Sequence, residues 1–269
     1  MDFWHQVLVY VLLFAAGLIA GAVNTVAGAG SLLTLPALIF AGVPGVAANA
    51  TNRIGIVVQG LTAVGEFHRR RVRENHLSWR LVVAGLGGAV LGAILAARIP
   101  DDQFEFLLGI LMIVLLVLIV KSPKPHLLDN GAPEDAWSPL GTGRRAAVLG
   151  VFFLLGIYAG FLQAGVGIMI LLALGYLVRL DLVRGNYIKL LFTLVHNAIA
   201  FGVFLFQGVD IAWVAGGVLT AGQALGALGG AWVAIHGGDR WIRIVMVVMV
   251  LASSAKLLGL VDFVMGWVR

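Results

Sequence analysis

The sequence contains no cysteine, which excludes disulfides, thiolate metal sites and thiol chemistry. Charge is scarce as well: Asp, Glu, Lys and Arg make up 12% of 269 residues, against 61% hydrophobic. Apolar runs approaching the roughly 20 residues that cross a bilayer follow one another along the chain. Leu81–Ala97, Phe106–Val120, Ala146–Phe161 and Ile211–Ile235 contain no charged side chain at all. This leaves no length for a soluble domain, so the fold class is all-α, a compact polytopic membrane protein. Acidic residues are absent from the middle of every run. Asp101, Asp102, Glu105, Asp210, Asp239 and Asp262 fall in loops or at span ends, and Glu66 closes its span beside an Arg cluster. That argues against sodium or proton coupling through a buried carboxylate. No basic patch with aromatic or polar readers exists, so nucleic acid is not an expected partner. No strand precedes a glycine cluster, so no dinucleotide site is read, and neither cofactor nor metal is expected. The opening MDFWHQ lacks a basic leader, so no cleavable signal is expected.

What is present is said twice. Residues 17–66, opening GLIAGAVNTVAGAG, return in altered form at residues 156–203, opening GIYAGFLQAGVG. Gly17 and Gly21 match Gly156 and Gly160, Asn24 matches Gln163, and Gly28 matches Gly167. ANATNR (Ala48–Arg53) matches GNYIKL (Gly185–Leu190), which puts Asn49 on Asn186, Asn52 on Lys189 and Gln59 on His196. The chain therefore divides into a first transmembrane repeat (1–121), a linker rich in Pro, Gly and charge (122–145) and a second repeat (146–269). Each repeat pairs two apolar arms across a glycine break: Phe3–Ala27 with Ser31–Ala41, and Ala146–Ala164 with Ile168–Val178. The short second arms suit re-entrant or discontinuous helices. Three spans follow in each, near Asn52–Phe67, Trp79–Arg98 and Phe104–Lys121, then Tyr187–Phe206, Ile211–His236 and Trp241–Leu260. The loop after the first of these spans is basic in one repeat (His68–Arg73) and free of Lys and Arg in the other (Gln207–Asp210). Repeats of opposite orientation produce that pattern under the positive-inside rule, and they are preferred here over parallel ones. The same rule places the linker in the cytoplasm, and the net charge of +5 reflects such loops.

Two cations stand at the edge of this apolar sequence. Arg53 and Lys189 each follow a short polar stretch and open a span, so both are expected near a break. A cation facing lipid costs at least a few kcal/mol and normally turns toward protein, water or an anion. Snorkelling to the headgroups is the alternative for a lone cation at a span end. Lys189, Thr193 and His196 share one helix face, with Asn197 beside them, and Asn52 and Gln59 share another. Such a stripe points away from lipid, although interhelical hydrogen bonding alone could account for Gln59. Gly28, Gly30, Gly165 and Gly167 let the backbone unwind, and helix N-termini after such breaks attract anions. Gly85, Gly88 and Gly92, like Gly222, Gly226 and Gly230, fit close helix packing instead.

The glycine-rich opening GLIAGAVNTVAGAGSLLTLPAL, then ANATNR, the basic loop, the GxxGxxxG span and the second copy with RGNYIK resemble the sulfite exporter TauE/SafE family of bacterial membrane transporters. The resemblance covers almost the whole chain. It implies movement of sulfite or small organosulfonates such as sulfoacetate and sulfolactate across the cell inner membrane, often outward. It also implies Asn24, Asn52, Arg53, Gln163 and Lys189 as the matching polar positions. The chain departs from the fuller motif at Ala27 and Ala29, and at Tyr187-Ile188.

The sequence is thus read as a multi-pass inner-membrane transporter, not an enzyme. It would work by alternating access, with its site between the repeats. The expected substrate-binding residues are Asn24, Asn52, Arg53, Gln59, Gln163, Lys189, His196 and Asn197. The expected partners are a small anionic substrate, the lipid bilayer and, as a candidate, a second copy of the chain. The competing readings are an intramembrane serine hydrolase built on Ser31 and His196, which lacks an orienting carboxylate, and an anion channel.

Overall fold

Apolar runs of this length fold as helices in a bilayer, because every backbone N–H and C=O must find its partner within the segment. The computed structural model describes residues 3–70, 75–121, 137–180 and 182–236, and among these there is no strand. In chain order the helices are α1 (Phe3–Ala27), α2 (Ser31–Phe40), α3 (Gly45–Arg69), α4 (Asn75–Arg98), α5 (Asp101–Lys121), α6 (Thr142–Phe161), α7 (Val166–Ala173), α8 (Leu182–Phe206) and α9 (Trp213–His236). A single π-helical turn, Leu174–Val178, extends α7. Four helices are long and apolar enough to cross a membrane, over Phe3–Thr25, Leu77–Arg98, Thr142–Phe161 and Val183–Phe206. The ten residues of α2 and eight of α7 rise only about 15 and 12 Å. Neither spans a bilayer, as the glycine breaks before them led one to expect. The span expected at Trp241–Leu260, the loop Asp239–Arg243 and most of the linker lie outside the described residues.

The largest departures from the sequence expectation are at two helix starts. α3 begins at Gly45 rather than near Asn52, and α8 at Leu182 rather than Tyr187. Pro44, at φ −53°, stands immediately before α3, where its fixed ring geometry suits a helix start. The Val46 amide donates to Asp101 Oδ1 at 2.7 Å, so a carboxylate from the first residue of α5 caps the helix. The polar ANATN stretch therefore does not end a helix. Neighbouring helices receive its side chains, and Asn49, Thr51, Asn52 and Arg53 are all fully buried.

Glycine decides which helices pair. A Cβ on Gly17 would overlap the Leu219 carbonyl and one on Gly21 the Gln223 carbonyl, so α1 lies directly on α9. Gly156 meets Gly85 and Gly160 meets Ala89 in the same manner, setting α6 of the second half on α4 of the first. Gly88 and Gly92 return these contacts toward α6, and Gly222, Gly226 and Gly230 toward α1. These are the small-residue approaches that drive helix association where lipid offers no hydrophobic gain. Gly17, Gly21, Gly156 and Gly160, which open the repeats, thus set these helix contacts. The bundle is apolar outside, where Trp4, Leu8, Leu12, Leu91, Leu95 and Trp213 face outward, and its apolar core encloses buried Asn, Gln, Thr, Arg and Lys side chains.

A candidate anion site built on two broken helices

α1 and α6 both stop inside the bundle, and a helix end leaves its last carbonyls without intrahelical donors. At α6 the amides of Leu162 and Gln163 both donate to Tyr158 O, at 2.9 and 3.1 Å, and that of Ala164 to Leu162 O at 2.7 Å. The carbonyls of Ala159, Gly160 and Phe161 are stranded by this turn. Side chains of α3 take all three. Arg53 Nη1 donates to Ala159 O at 3.0 Å and to Asn197 Oδ1 at 3.2 Å. Its Nη2 donates to Gly160 O and makes a longer contact of 3.5 Å with Asn49 Oδ1. Asn49 Nδ2 donates to Phe161 O at 2.8 Å. The guanidinium also lies over the Phe204 ring, with Cζ 4.9 Å from its centroid.

Lys189 performs the same service at the end of α1. Its Nζ donates to Asn24 O at 3.1 Å, to Thr25 O at 2.8 Å and to Asn186 Oδ1 at 2.7 Å. All three ammonium hydrogens are thereby occupied. Gly28 follows with φ +73°, the left-handed turn that glycine accepts at a helix end, and its amide also donates to Asn24 O, at 2.9 Å. The two breaks touch here: a Cβ on Gly28 would overlap the Gly167 Cα, and one on Gly167 the Gly28 Cα. The Lys189 stem runs over that contact, with its Cδ 3.1 Å from the position a Gly28 Cβ would take.

Each cation therefore comes from one half and caps the broken helix of the other. Positive charge is favoured at a helix C-terminus, where the macrodipole presents about half a negative charge. This corrects the sequence expectation in one respect: both cations sit about two turns inside continuous helices, not at a break. Their partners are carbonyl oxygens at helix C-termini and the amide oxygens of Asn186 and Asn197, acceptors that the sequence reading did not name. Among the described residues the ion pairs join Glu66 to Arg69 and Arg70 at the exposed end of α3. Arg53 and Lys189, at 0% and 1% exposure, have neutral partners, so the interior keeps net positive charge.

The other expected residues fall into two groups. Asn24, Gln59 and Asn197 join the cation networks: Asn24 Nδ2 donates to Gln59 Oε1 at 3.2 Å, and Asn197 Nδ2 to Thr193 O at 2.8 Å. Asn52, Gln163 and His196 do not bond to either cation. His196 stacks on Phe192 with centroids 3.6 Å apart, its Nδ1 lies 2.7 Å from Phe192 O, and its ring fills the space left by Gly85. Gln163 adopts φ +56°, which costs a non-glycine residue roughly 1–2 kcal/mol. Its side chain is 1% exposed, yet neither amide atom has a partner. Asn52 Oδ1 accepts from Gln223 Nε2 at 3.2 Å, while its Nδ2 is unpartnered. The sequence reading missed Gln223 and, nearby, Thr220. Their signal was legible, since they are the only Thr and Gln in the run Ile211–Ile235 and stand on one helix face.

The sequence model described as sulfite exporter TauE/SafE matches residues 13–257. The chain belongs to the sulfite exporter TauE/SafE family. It is 28% identical over 251 residues to the probable membrane transporter protein ORF9 of Sinorhizobium sp, covering 92% of this chain and 91% of that one. It is 29% identical to a probable membrane transporter protein of Haemophilus influenzae, covering 95% of each. Against the probable membrane transporter protein YfcA of Escherichia coli the figure is 28%, over 92% of this chain and 88% of that one. No solved structure matches. In this TauE/SafE chain the polar interior is thus part of a membrane transporter.

Proposed function

We propose that this TauE/SafE protein carries sulfite or a small organosulfonate, of the sulfoacetate or sulfolactate type, outward across the cell inner membrane by alternating access. The observation that carries this reading is the pair of buried cations whose partners are all neutral oxygens. Burying an ion costs several kcal/mol, and half a charge at each helix end offsets only part of that. A charged oxygen arriving beside Lys189 accepts stronger hydrogen bonds than a carbonyl does. The ammonium, on a flexible four-carbon stem, exchanges a carbonyl for it. Arg53 Nε, Asn52 Nδ2 and the Gln163 amide are buried donors without protein partners, ready to bind the remaining oxygens. Outward movement of an anion from a negative-inside cell is downhill by about 2.3 kcal/mol per charge per 100 mV, so no coupling acid is required. The exchange of cations between halves favours a site at the interface of two inverted repeats. The hydrolase reading loses support, because His196 lies against Phe192 and Gly85 and makes no hydrogen bond to Ser31.

The test is flux of labelled sulfite and sulfoacetate from proteoliposomes containing the purified protein, beside Lys189→Met and Arg53→Met. Saturable efflux that falls at least tenfold in Lys189→Met is expected. Equal flux in all three proteins overturns the reading, and flux that never saturates makes the protein a channel.

A further inference from the structure

Three buried polar atoms at the α3–α9 contact lack any partner: Asn52 Nδ2, Thr220 Oγ1 and Gln223 Oε1. They gather around Gly55. A Cβ there would overlap Gln223 Oε1 and would stand 3.2 Å from Thr220 Oγ1, so the missing side chain is what admits the amide. Gln223 is 1% exposed, and its Nε2 donates to Asn52 Oδ1 at 3.2 Å. That bond fixes the Asn52 amide with its own N–H groups directed elsewhere. The cluster adjoins the Lys189 network. Gly21 of α1 packs on the Gln223 backbone. About one turn onward Asn24 holds Gln59 through its side chain and Lys189 through its carbonyl. A polar band thus runs from Thr220 and Gln223 through Asn52, Gln59 and Asn24 to the ammonium.

Interhelical bonding explains the single amide–amide bond but not three unpartnered atoms, which native interiors rarely keep without a reason. The second half supplies the comparison. In the repeat register Phe192 matches Gly55, and Ala89 meets Gly160 as Gln223 meets Gly21. At the equivalent α8–α4 contact Phe192 and Ala89 thus hold the places of Gly55 and Gln223, with His196 lying over Gly85, so packing does not require an amide at the Gln223 position.

We propose that Asn52 and Thr220, with Gln223 positioning the Asn52 amide, form a neutral subsite for the oxygen atoms of the transported sulfur oxyanion. It lies beside Lys189, so that α9, and not its counterpart α4, lines the anion's path. This rests on the anion-transport reading above. Neutral donors bind an oxyanion without adding charge to an interior that already holds two cations.

Thr220→Val removes a hydroxyl that has no protein partner and keeps the side-chain shape, so a purely structural role predicts no effect. Gln223→Leu removes the positioning amide. Binding of sulfite and of sulfoacetate to purified protein is measured by calorimetry, together with KM and kcat in proteoliposomes and with Lys189→Met in parallel. Loss of one hydrogen bond to a charged ligand weakens binding about tenfold or more. Both α9 variants are expected to show that loss for at least one of the two anions, as a rise in KM with kcat preserved and an unfolding temperature for Thr220→Val close to that of the parent. If both bind like the parent while Lys189→Met does not, the subsite is wrong and the transport reading stands. If Lys189→Met also binds like the parent, or the parent binds neither anion, both fall. Should Gln223→Leu fail to fold, Thr220→Val decides alone.

Discussion

Arg53 and Lys189 do the same kind of work at different cost, and the difference is measurable. Methionine is an unbranched, uncharged replacement of similar reach, and in either variant it relieves the burial of one full charge, so that relief largely cancels in the comparison. What remains is the set of acceptors left behind. Lys189→Met strands the Thr25 carbonyl and Asn186 Oδ1, whereas Asn24 O keeps the Gly28 amide. Arg53→Met strands two carbonyls, Ala159 and Gly160, together with Asn197 Oδ1, and loses the Phe204 face. One additional orphaned buried carbonyl costs about 1–3 kcal/mol. A desolvated cation–π contact adds about 2 kcal/mol. Arg53→Met should therefore be less stable than Lys189→Met by about 3 kcal/mol, more than a hundredfold in the folded fraction at about 1.4 kcal/mol per decade. Equilibrium unfolding of both purified variants in the same detergent tests this. Finding Lys189→Met the less stable of the two, or the pair equal, would refute the helix-end account of Arg53.

Three further outcomes follow from single contacts. Asp101→Ala removes the carboxylate from the Val46 amide and should lower stability by about 1 kcal/mol, as loss of an N-cap does, seen as a lower unfolding temperature with sulfite affinity preserved. Gly28→Ala places a methyl both at φ +73° and onto the Gly167 Cα, and membrane expression followed by gel filtration should show little or no monodisperse protein. Gln163→Gly releases a residue from φ +56° and removes an unpartnered buried amide. It should raise stability by roughly 1 kcal/mol while weakening sulfite binding, and a variant that is both less stable and unchanged in binding would contradict the assignment of Gln163 to the site.

Much of this architecture could be read from composition and repetition. Long apolar runs with no acid, glycine at four- and three-residue spacing, and two short arms after glycine breaks have few other ways to fold in lipid. The burial of Asn52, Gln59, Gln163 and Lys189 was equally legible, since polar groups at those depths have nowhere else to go. What the residues did not disclose was the partner of each cation. A backbone carbonyl is present at every position, and it becomes a strong acceptor only where a helix happens to stop, which depends on the turn taken by Leu162, Gln163 and Ala164. The start of α3 was misplaced for a related reason, because ANATN looks like a loop until neighbouring helices supply its partners. Thr220 and Gln223 were overlooked because they fall outside the segments that repeat.

The departures from repeat symmetry are as informative as the repeat. Lys189 matches Asn52 in register, yet the residue that does its work in the first half is Arg53, one position along and about 100° around the helix. The broken helices are offset as well. α1 continues to Ala27, three residues past Asn24, whereas α6 stops at Phe161, before Gln163, the residue that matches Asn24. The carbonyls that receive Arg53, those of Ala159 and Gly160, accordingly lie about a turn earlier than the equivalents of those that receive Lys189. Each cation has followed a helix end rather than a sequence position, which is what electrostatics requires if the carbonyls are its partners. The early stop of α6 has a second effect. Asn24, still helical, spends its amide on Gln59, but Gln163, beyond the end of its helix and turned into left-handed backbone, keeps its amide unspent. The asymmetry that completes the Arg53 cap also leaves Gln163 free.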